Sequence, residues 1–216
     1  MKTALIAGST GLTGSELLKL ILKNSIYHQV IVLVRQNSPG KSEKIIQHKI
    51  NFEVFEEELK SIPKVDDVFC CLGSTMKKAG SKEAFRKVDY EFPLELARWA
   101  AEKGVKQFLC ISALGADESS SIFYNRVKGE MERDVSKLNI PSITFLRPSL
   151  LIGNREENRP MERLGIMFAK TFSFLFVGPL KKYKGIAIEK VAGAMYSAAQ
   201  EKSIGVKFIE SEQMGN

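Results

Sequence analysis

Cysteine and histidine are scarce in this chain, with three cysteines and two histidines among 216 residues. All three cysteines, Cys70, Cys71 and Cys110, lie in apolar runs that we interpret as central strands. Neighbouring residues of a strand point to opposite faces of the sheet, so Cys70 and Cys71 do not form a metal-binding pair. The small number of cysteines and histidines argues against a metal centre and a disulfide framework. The position of the cysteines in apolar strands predicts buried, reduced thiols.

Long apolar runs are absent as well. No unbroken apolar segment reaches the roughly 20 residues of a transmembrane helix, and the sequence has no repeats or low-complexity tracts. The first strand begins at the N-terminus without a basic-then-apolar leader, so we expect no secretory signal. These absences predict a cytoplasmic protein with no transmembrane segment.

Positive charge is in excess, with a net charge of +7 and a pI near 9.2. The lysines are scattered and no recognition motif with interleaved aromatic residues is present, so we expect no nucleic-acid binding. Salt-dependent binding of nucleic acid through the basic surface is a third-ranked hypothesis. A mild positive field would also attract a polyanionic cofactor. The length predicts a single domain over residues 1–216.

A glycine-rich turn near the N-terminus carries the clearest motif. An apolar run typical of a buried strand leads directly into the turn, and a helical pattern begins by Leu17. Glycines let the backbone approach a diphosphate, and a helix N-terminus offers free N–H groups and a partial positive charge. The strand–turn–helix context favours a dinucleotide site over a tight turn without a ligand. The candidate cofactor-binding residues of the turn are Gly8, Ser9, Thr10, Gly11, Leu12, Thr13 and Gly14.

The second predicted strand ends at Arg35, where dinucleotide-binding proteins select their cofactor. An NAD site usually places Asp or Glu at about this distance to bind the ribose 2′-hydroxyl, whereas an arginine can bind a 2′-phosphate. Arg35 therefore favours NADP(H) as the cofactor. The alternative is that Arg35 simply begins a polar loop.

Strand and helix patterns alternate along the rest of the chain. This alternation predicts an α/β fold, a doubly wound and predominantly parallel Rossmann sheet. A buried strand over residues 65–72 ends at Leu72, Gly73 and Ser74. Because a glycine at the carboxyl end of a central strand lets a cofactor approach the backbone, these three residues are also cofactor-binding candidates.

A small C-terminal cap is expected over residues 153–184, on the substrate side of the sheet. Its phenylalanine-rich segment, residues 164–180, is interpreted first as a lid helix that packs against the sheet. An apolar substrate pocket, a partner subunit and an anionic membrane surface remain open as alternatives.

Tyr124 and Lys128 lie four residues apart on a predicted helix, so they are neighbours on one face. A nearby ammonium favours the phenolate, and we therefore expect Lys128 to lower the pKa of Tyr124 so that it exchanges a proton at neutral pH. Ser112, at the end of the preceding strand, is placed to hold a substrate oxygen. A Tyr-x-x-x-Lys pair alone is usually a surface pair, but the glycine turn and Ser112 make a catalytic set the stronger interpretation.

With these motifs the chain resembles the short-chain dehydrogenase/reductase superfamily, and within it the atypical NADP-binding group that includes the Tat-interacting protein oxidoreductases. Asp89 stands where that family often has asparagine, and the chain after Pro148 is short compared with the sugar-nucleotide branch. The resemblance is carried by the turn at Gly8–Gly14, Arg35, Phe69–Gly73, Val88-Asp89, Ser112, Gly115–Asp117, Tyr124–Glu130 and Arg147-Pro148.

The resemblance implies an NADP-dependent oxidoreductase that transfers hydride between NADP(H) and a small carbonyl or alcohol substrate. It implies catalytic roles for Ser112, Tyr124 and Lys128, with Lys128 also holding the nicotinamide ribose. A non-catalytic NADPH-binding regulatory or sensor protein is the alternative, and a homodimer is an open question. By the same resemblance, the residues that pass the nicotinamide amide are Pro148, Leu150 and Leu151.

Overall fold

The structure is a computed structural model that describes residues 1–37, 42–152, 185–201 and 203–215. The predicted cap over residues 153–184 lies outside these ranges, and the single-domain assignment remains a prediction. The strands are β1 (Lys2–Ala7), β2 (Tyr27–Val34), β3 (Ile45–Lys49), β4 (Asp67–Cys70), β5 (Gln107–Ile111), β6 (Ser142–Arg147), β7 (Leu151–Ile152), β8 (Ile186–Ala187) and β9 (Gly205–Glu210).

Helices connect the strands, and none of the described helices is long and apolar enough to cross a bilayer. Short 3₁₀ turns occur at Phe52–Val54 and Ser211–Gly215, and a π-helical turn at Lys87–Glu91. The α-helices are α1 (Leu12–Lys23), α2 (Phe55–Lys60), α3 (Met76–Ala79), α4 (Lys82–Arg86), α5 (Phe92–Glu102), α6 (Phe123–Ser136) and α7 (Ile188–Ala198).

Seven strands form one sheet in the order β3-β2-β1-β4-β5-β6-β9, and every neighbouring pair is parallel. The strand order reverses between β1 and β4, the position at which doubly wound sheets bind ligands outside their carboxyl ends. The predicted doubly wound Rossmann fold is confirmed. The short strands β7 and β8 pair with each other in a separate parallel ladder.

Apolar side chains of alternating orientation cover both faces of the sheet. One face packs against α2, α5 and α6 through buried residues such as Leu59, Leu96 and Met131. The other packs against α1 and α7 through Leu17 and Met195, among others. Since each large apolar side chain buried this way contributes about 1.5–3 kcal/mol relative to exposure, the two layers hold the strand ends in fixed positions.

The segment before β5 differs from the single long helix that its apolar periodicity suggests. It divides into α4, the π-helical turn and α5, and Pro93 lies in the first turn of α5. The residues at both junctions have helical backbone angles, so the segment changes helix type close to Pro93 but does not break there. The strand predicted over residues 45–55 ends early, because the chain turns into the 3₁₀ and α2 helices after β3.

Candidate functional site

The glycine turn between β1 and α1 is shaped by contacts that admit no side chain. Gly8 has φ +86°, and a Cβ placed there would lie 2.5 Å from the carbonyl oxygen of Cys71. A Cβ on Gly14 would lie 2.2 Å from the carbonyl oxygen of Gly8, which also accepts a hydrogen bond from the Gly11 N–H at 3.0 Å. The turn therefore folds tightly beneath the first turn of α1, whose N–H groups point toward the crevice.

The end of β4 lies directly beside this turn. The Cys71 N–H donates to the Ala7 carbonyl at 2.8 Å, so the chain that continues through Leu72, Gly73 and Ser74 runs along the same edge. Gly73 is exposed, and a Cβ on it would lie 3.4 Å from Asp89 Oδ1 and 3.9 Å from Lys128 Nζ. Two segments predicted from separate motifs thus meet at the carboxyl edge of the sheet.

Arg35 lies at the end of β2, exposed, at one end of a cavity of about 820 Å³. Its guanidinium carbon lies 5.3 Å from the ring centroid of Phe52, a cation–π distance. Lys49 and Lys87 also line the cavity, and Lys87 Nζ pairs with Glu53 at 3.3 Å. A basic and aromatic wall at this place suits the adenosine end of a dinucleotide.

Lys128 and Asp89 form an ion pair under the same edge, with 2.8 Å between Nζ and Oδ1 and both side chains almost fully buried (3% and 1% exposed). Lys128 Nζ also donates to the carbonyl of Ile111, at the end of β5, at 3.4 Å. Burial disfavours the ammonium and is the largest single influence, but the charge and hydrogen bond of Asp89, together with Tyr124 and Cys110, outweigh it and raise the pKa of Lys128 above its ordinary value. Lys128 is therefore held charged and in one place.

Tyr124 lies one helical turn before Lys128 on α6, and its ring packs on Phe85 with 5.3 Å between ring centroids. Burial raises the pKa of Tyr124, the charge of Lys128 lowers it and that of Asp89 raises it, for a net upward shift. Lys128 acts on the phenol in the predicted direction, but the predicted net lowering of the Tyr124 pKa is wrong for this structure, because burial and Asp89 together outweigh the ammonium.

Ser112 follows β5 and is buried, with its N–H donating to the Leu146 carbonyl at 2.7 Å. Its hydroxyl has no hydrogen-bond partner among the residues that the structure describes. Because buried hydroxyls are nearly always hydrogen-bonded, this one has spare capacity for a ligand oxygen. The structure thus brings Ser112, Tyr124 and Lys128 to the carboxyl edge, around the ends of β4 and β5.

The segment after β6 lines the next part of this edge. The carbonyl of Pro148 accepts a hydrogen bond from the Leu114 N–H at 3.0 Å, and that of Leu150 accepts one from Ile186 at 2.9 Å. Pro148 is buried, Leu150 is 58% exposed, and Leu151 begins β7. These three candidates are on the same edge as the glycine turn, and their contact with a cofactor remains a prediction.

A nicotinamide dinucleotide fits these residues. The turn at Gly8 and Gly14 is a backbone cradle that a Cβ would fill, and the hydroxyl of Ser112 lacks a partner among the described residues. Within the same ranges, no three His, Cys, Asp or Glu side chains cluster closely enough to hold a metal ion. The donor set therefore suits a phosphate-bearing organic cofactor.

Two residues of the site escaped the sequence interpretation. Asp89 was noted as a departure from the family, but its pairing with Lys128 was not foreseen. Gly129 belongs to the stretch that carries the family resemblance, but its packing role was not predicted: a Cβ there would lie 2.2 Å from backbone atoms of Asp117 and Glu118, so only glycine lets α6 pack on the loop after β5. A glycine inside a strong helical pattern is the local signal for such a close contact.

Comparison with known proteins places this site in a family. Residues 19–175 match the family model HIM1. The chain is 36% identical over 170 residues to Protein HTATIP2 of Rattus norvegicus, covering 77% of this chain and 70% of that protein. It is 32% identical over 224 residues to the mitochondrial protein FMP52-1 of Scheffersomyces stipitis, covering 98% and 96%. The predicted resemblance to the Tat-interacting protein group is confirmed.

A solved structure with a similar fold is the enzyme WbmF of Bordetella bronchiseptica in complex with NAD⁺, at TM-score 0.71 and 17% identity, covering 97% of this chain and 73% of that chain. That likeness bears on the fold. Several relatives carry the name FMP52, mitochondrial, which contradicts the cytoplasmic location predicted from the sequence. Composition and missing motifs gave no information about organelle, which is why that prediction failed.

Proposed function

Since this chain belongs to the HIM1 family, we propose that it is an NADP-dependent oxidoreductase of the short-chain dehydrogenase/reductase type that acts on a small carbonyl or alcohol. The observation that carries the proposal is the buried Lys128, one helical turn from Tyr124, at the edge where the glycine turn opens. A lysine is almost never buried this completely unless it is paired, and a buried ionisable group with a shifted pKa in a cleft is a candidate for a functional site.

The cofactor, when bound, supplies or accepts the hydride. The chain's own residues then divide the remaining work. The turn at Gly8–Gly14 and the N-terminus of α1 bind the diphosphate, and Arg35 meets the 2′-phosphate. Lys128 anchors the nicotinamide ribose through its ammonium. Pro148 to Leu151 are assigned to the amide side of the nicotinamide.

Proton transfer is assigned to Tyr124. Its phenol is protonated at neutral pH, so in carbonyl reduction it donates a proton to the substrate oxygen as hydride arrives at the carbon. Ser112 holds the same oxygen with the hydroxyl that is otherwise unpartnered within the described residues. In alcohol oxidation the two transfers run in reverse, and Tyr124 must first lose its proton.

The alternative function is an NADPH sensor without turnover. One observation favours it: the carboxylate of Asp89 offsets the positive charge of Lys128. A lysine that serves only to anchor the ribose does not need to lower the pKa of Tyr124. The same fold and cofactor site serve both functions.

Fluorescence titration with NADPH and NADH, followed by a panel of aldehydes, ketones and quinones, separates the two. We expect saturable NADPH binding and substrate-dependent NADPH oxidation. NADPH binding with no oxidation across the panel would favour the sensor, and no binding of either cofactor would reject both functions.

A further inference from the structure

Asp89 is the one acidic side chain in direct contact with Lys128 within the described part of the chain. Its Oδ1 lies 2.8 Å from the lysine Nζ, and both groups are removed from solvent. Removing two charges from water is unfavourable, and a buried pair of this kind adds little to stability compared with apolar residues of similar size. The pair therefore calls for a reason other than stability.

The second oxygen of Asp89 contacts the loop after β4. Oδ2 accepts a hydrogen bond from the Ser74 N–H at 2.8 Å, so one carboxylate joins the loop after β4 to Lys128 on α6. Gly73 lies directly over this junction, since its Cβ position is 3.4 Å from Oδ1. The side chain thus fixes the lysine relative to the very loop that is a candidate cofactor contact.

The backbone around Asp89 is adapted to this placement. It lies in the π-helical turn at Lys87–Glu91, which ends with the Phe92 N–H donating to the Lys87 carbonyl five residues earlier. Single π-turns inside helical segments occur frequently at functional sites. The wider π-helical turn changes the direction in which its side chains leave the helix axis compared with an α-helix, and in this turn Asp89 reaches Lys128.

We propose that Asp89 is a positioning residue for the reaction: its carboxylate holds the Lys128 ammonium against the cofactor loop and offsets its charge, so that Tyr124 serves as the proton donor in carbonyl reduction. This inference rests on the proposed function. It assigns to the carboxylate a role in setting the protonation state of Tyr124, beyond that of a structural ion pair.

The surroundings of Lys128 support this role. The groups that face it are Asp89 from the π-helical turn, Tyr124 from its own helix, Cys110 from β5 and Cys70 from β4. The hydrogen bond between the two thiols raises the pKa of Cys110 and lowers that of Cys70. Among these groups Asp89 is the carboxylate, and its Oδ1 lies 2.8 Å from the ammonium, so it is the group paired with the lysine charge.

The decisive variant is Asp89→Asn, which keeps the shape of the side chain and removes its charge. The pH profile of kcat is measured with phenanthrenequinone as the substrate probe. We expect kcat to fall about tenfold or more, and the alkaline limb of the profile, where kcat declines at high pH, to move to lower pH by about one unit or more. The limb moves because Lys128, no longer offset, either lowers the pKa of Tyr124 or loses its own proton earlier. Asp89→Glu should restore most of the wild-type profile.

A merely structural Asp89 predicts a different result, a kcat lowered equally at every pH with the limb unmoved, and that result would overturn the inference. A readout without turnover is heteronuclear NMR of Cε-labelled lysine, with Lys128→Met to assign the signal. In the parent protein Lys128 should titrate above the ordinary lysine range, because Asp89 raises its pKa, and in Asp89→Asn it should titrate at lower pH.

This second readout separates the two proposals. If no carbonyl is reduced but the Lys128 titration moves, the proposed function fails while the hold of Asp89 on Lys128 stands. If carbonyls are reduced but neither the limb nor the titration moves, the inference on Asp89 fails alone. Should Asp89→Asn not fold, the Asp89→Asn/Lys128→Met double variant removes both charges, and recovery of folding in it would demonstrate the coupling.

Discussion

Two buried aspartates, each paired with a lysine, lie at opposite ends of the strands. We call the side where the strands begin the amino edge and the side where they end the carboxyl edge. At the amino edge, Asp67 Oδ2 accepts hydrogen bonds from Lys2 Nζ at 2.8 Å and from the Tyr27 hydroxyl at 2.6 Å, and Oδ1 accepts one from Gln107 Nε2 at 3.0 Å. At the carboxyl edge, Asp89 has its lysine and one backbone N–H, and the nearby hydroxyl of Ser112 has no partner among the described residues.

The difference separates structure from function in chemically similar groups. Both carboxylate oxygens of Asp67 accept hydrogen bonds from side chains of the protein, as expected of a network that serves the fold. At the carboxyl edge, capacity is left over at the place where doubly wound sheets bind ligands. We therefore expect changes at the amino edge to alter stability and changes at the carboxyl edge to alter binding and turnover.

The largest expected effect comes from removing one hydroxyl at each edge. Tyr124→Phe should lower kcat for quinone reduction by about 10²–10⁴-fold, since it removes the proton donor, and leave NADPH affinity nearly unchanged. Tyr27→Phe should keep kcat and lower the free energy of unfolding by about 1–3 kcal/mol, because Asp67 loses a buried donor. Steady-state kinetics and urea unfolding of both variants provide the test. Unaltered NADPH oxidation by Tyr124→Phe would remove this residue from the mechanism.

Next in size is a pair of glycines with positive φ. Gly8→Ala places a methyl group 2.5 Å from the Cys71 carbonyl oxygen in the cofactor turn, whereas Gly104, with φ +62°, has only the end of the flexible Lys64 side chain within 4 Å. We expect Gly8→Ala to weaken NADPH binding about 100-fold, or about 2.7 kcal/mol.

Gly104→Ala is the matched control for backbone strain. It should destabilise the protein by about 1–3 kcal/mol, as strained positions do, with an unchanged Kd for NADPH. Equal losses of affinity in the two variants would mean that strain anywhere in the fold, and not crowding of the cofactor turn, controls binding.

Asp67→Asn isolates the amino edge. The asparagine amide would have to face one of three donors, so we expect a loss of about 3 kcal/mol in the free energy of unfolding, with kinetics of the folded protein unchanged. The control is the adjacent Asp66→Asn, which keeps an acceptor for the Thr3 N–H and should cost less than about 1 kcal/mol. A fall in kcat for Asp67→Asn without a loss of stability would erase the distinction between the edges.

The two edges also differ in how far they were predictable from sequence. The glycine turn, the alternation of strands and helices, and the Tyr124–Lys128 pair are local patterns, and the parallel doubly wound sheet followed from them. The hydrogen bonds of Asp67 with Tyr27 and Gln107 join three strands that are far apart in the chain, so the periodicity of apolar residues does not predict them. The Asp89–Lys128 pair likewise depends on how two helical segments cross over the sheet.

The error on Tyr124 has the same origin. An i, i+4 neighbour is visible in the sequence and suggested a lowered pKa, whereas the burial of the phenol and the approach of Asp89 are properties of the folded chain. The π-helical turn that presents Asp89 was also hidden, because Phe85, Phe92 and Trp99 follow one apolar stripe through it.

The smallest expected effect concerns cofactor choice at the outer end of the carboxyl edge. Arg35 is exposed, so its interaction with a 2′-phosphate is partly screened by solvent. Arg35→Asp should weaken NADPH binding about tenfold, or about 1.4 kcal/mol, and leave NADH binding level or improved. Arg98→Asp, an equal charge change at an exposed position of α5, is the control and should change neither Kd. Equal affinities of the parent protein for NADPH and NADH would instead exclude Arg35 from cofactor choice. The carboxyl edge would then bind only the groups that the two cofactors have in common, and not the 2′-phosphate.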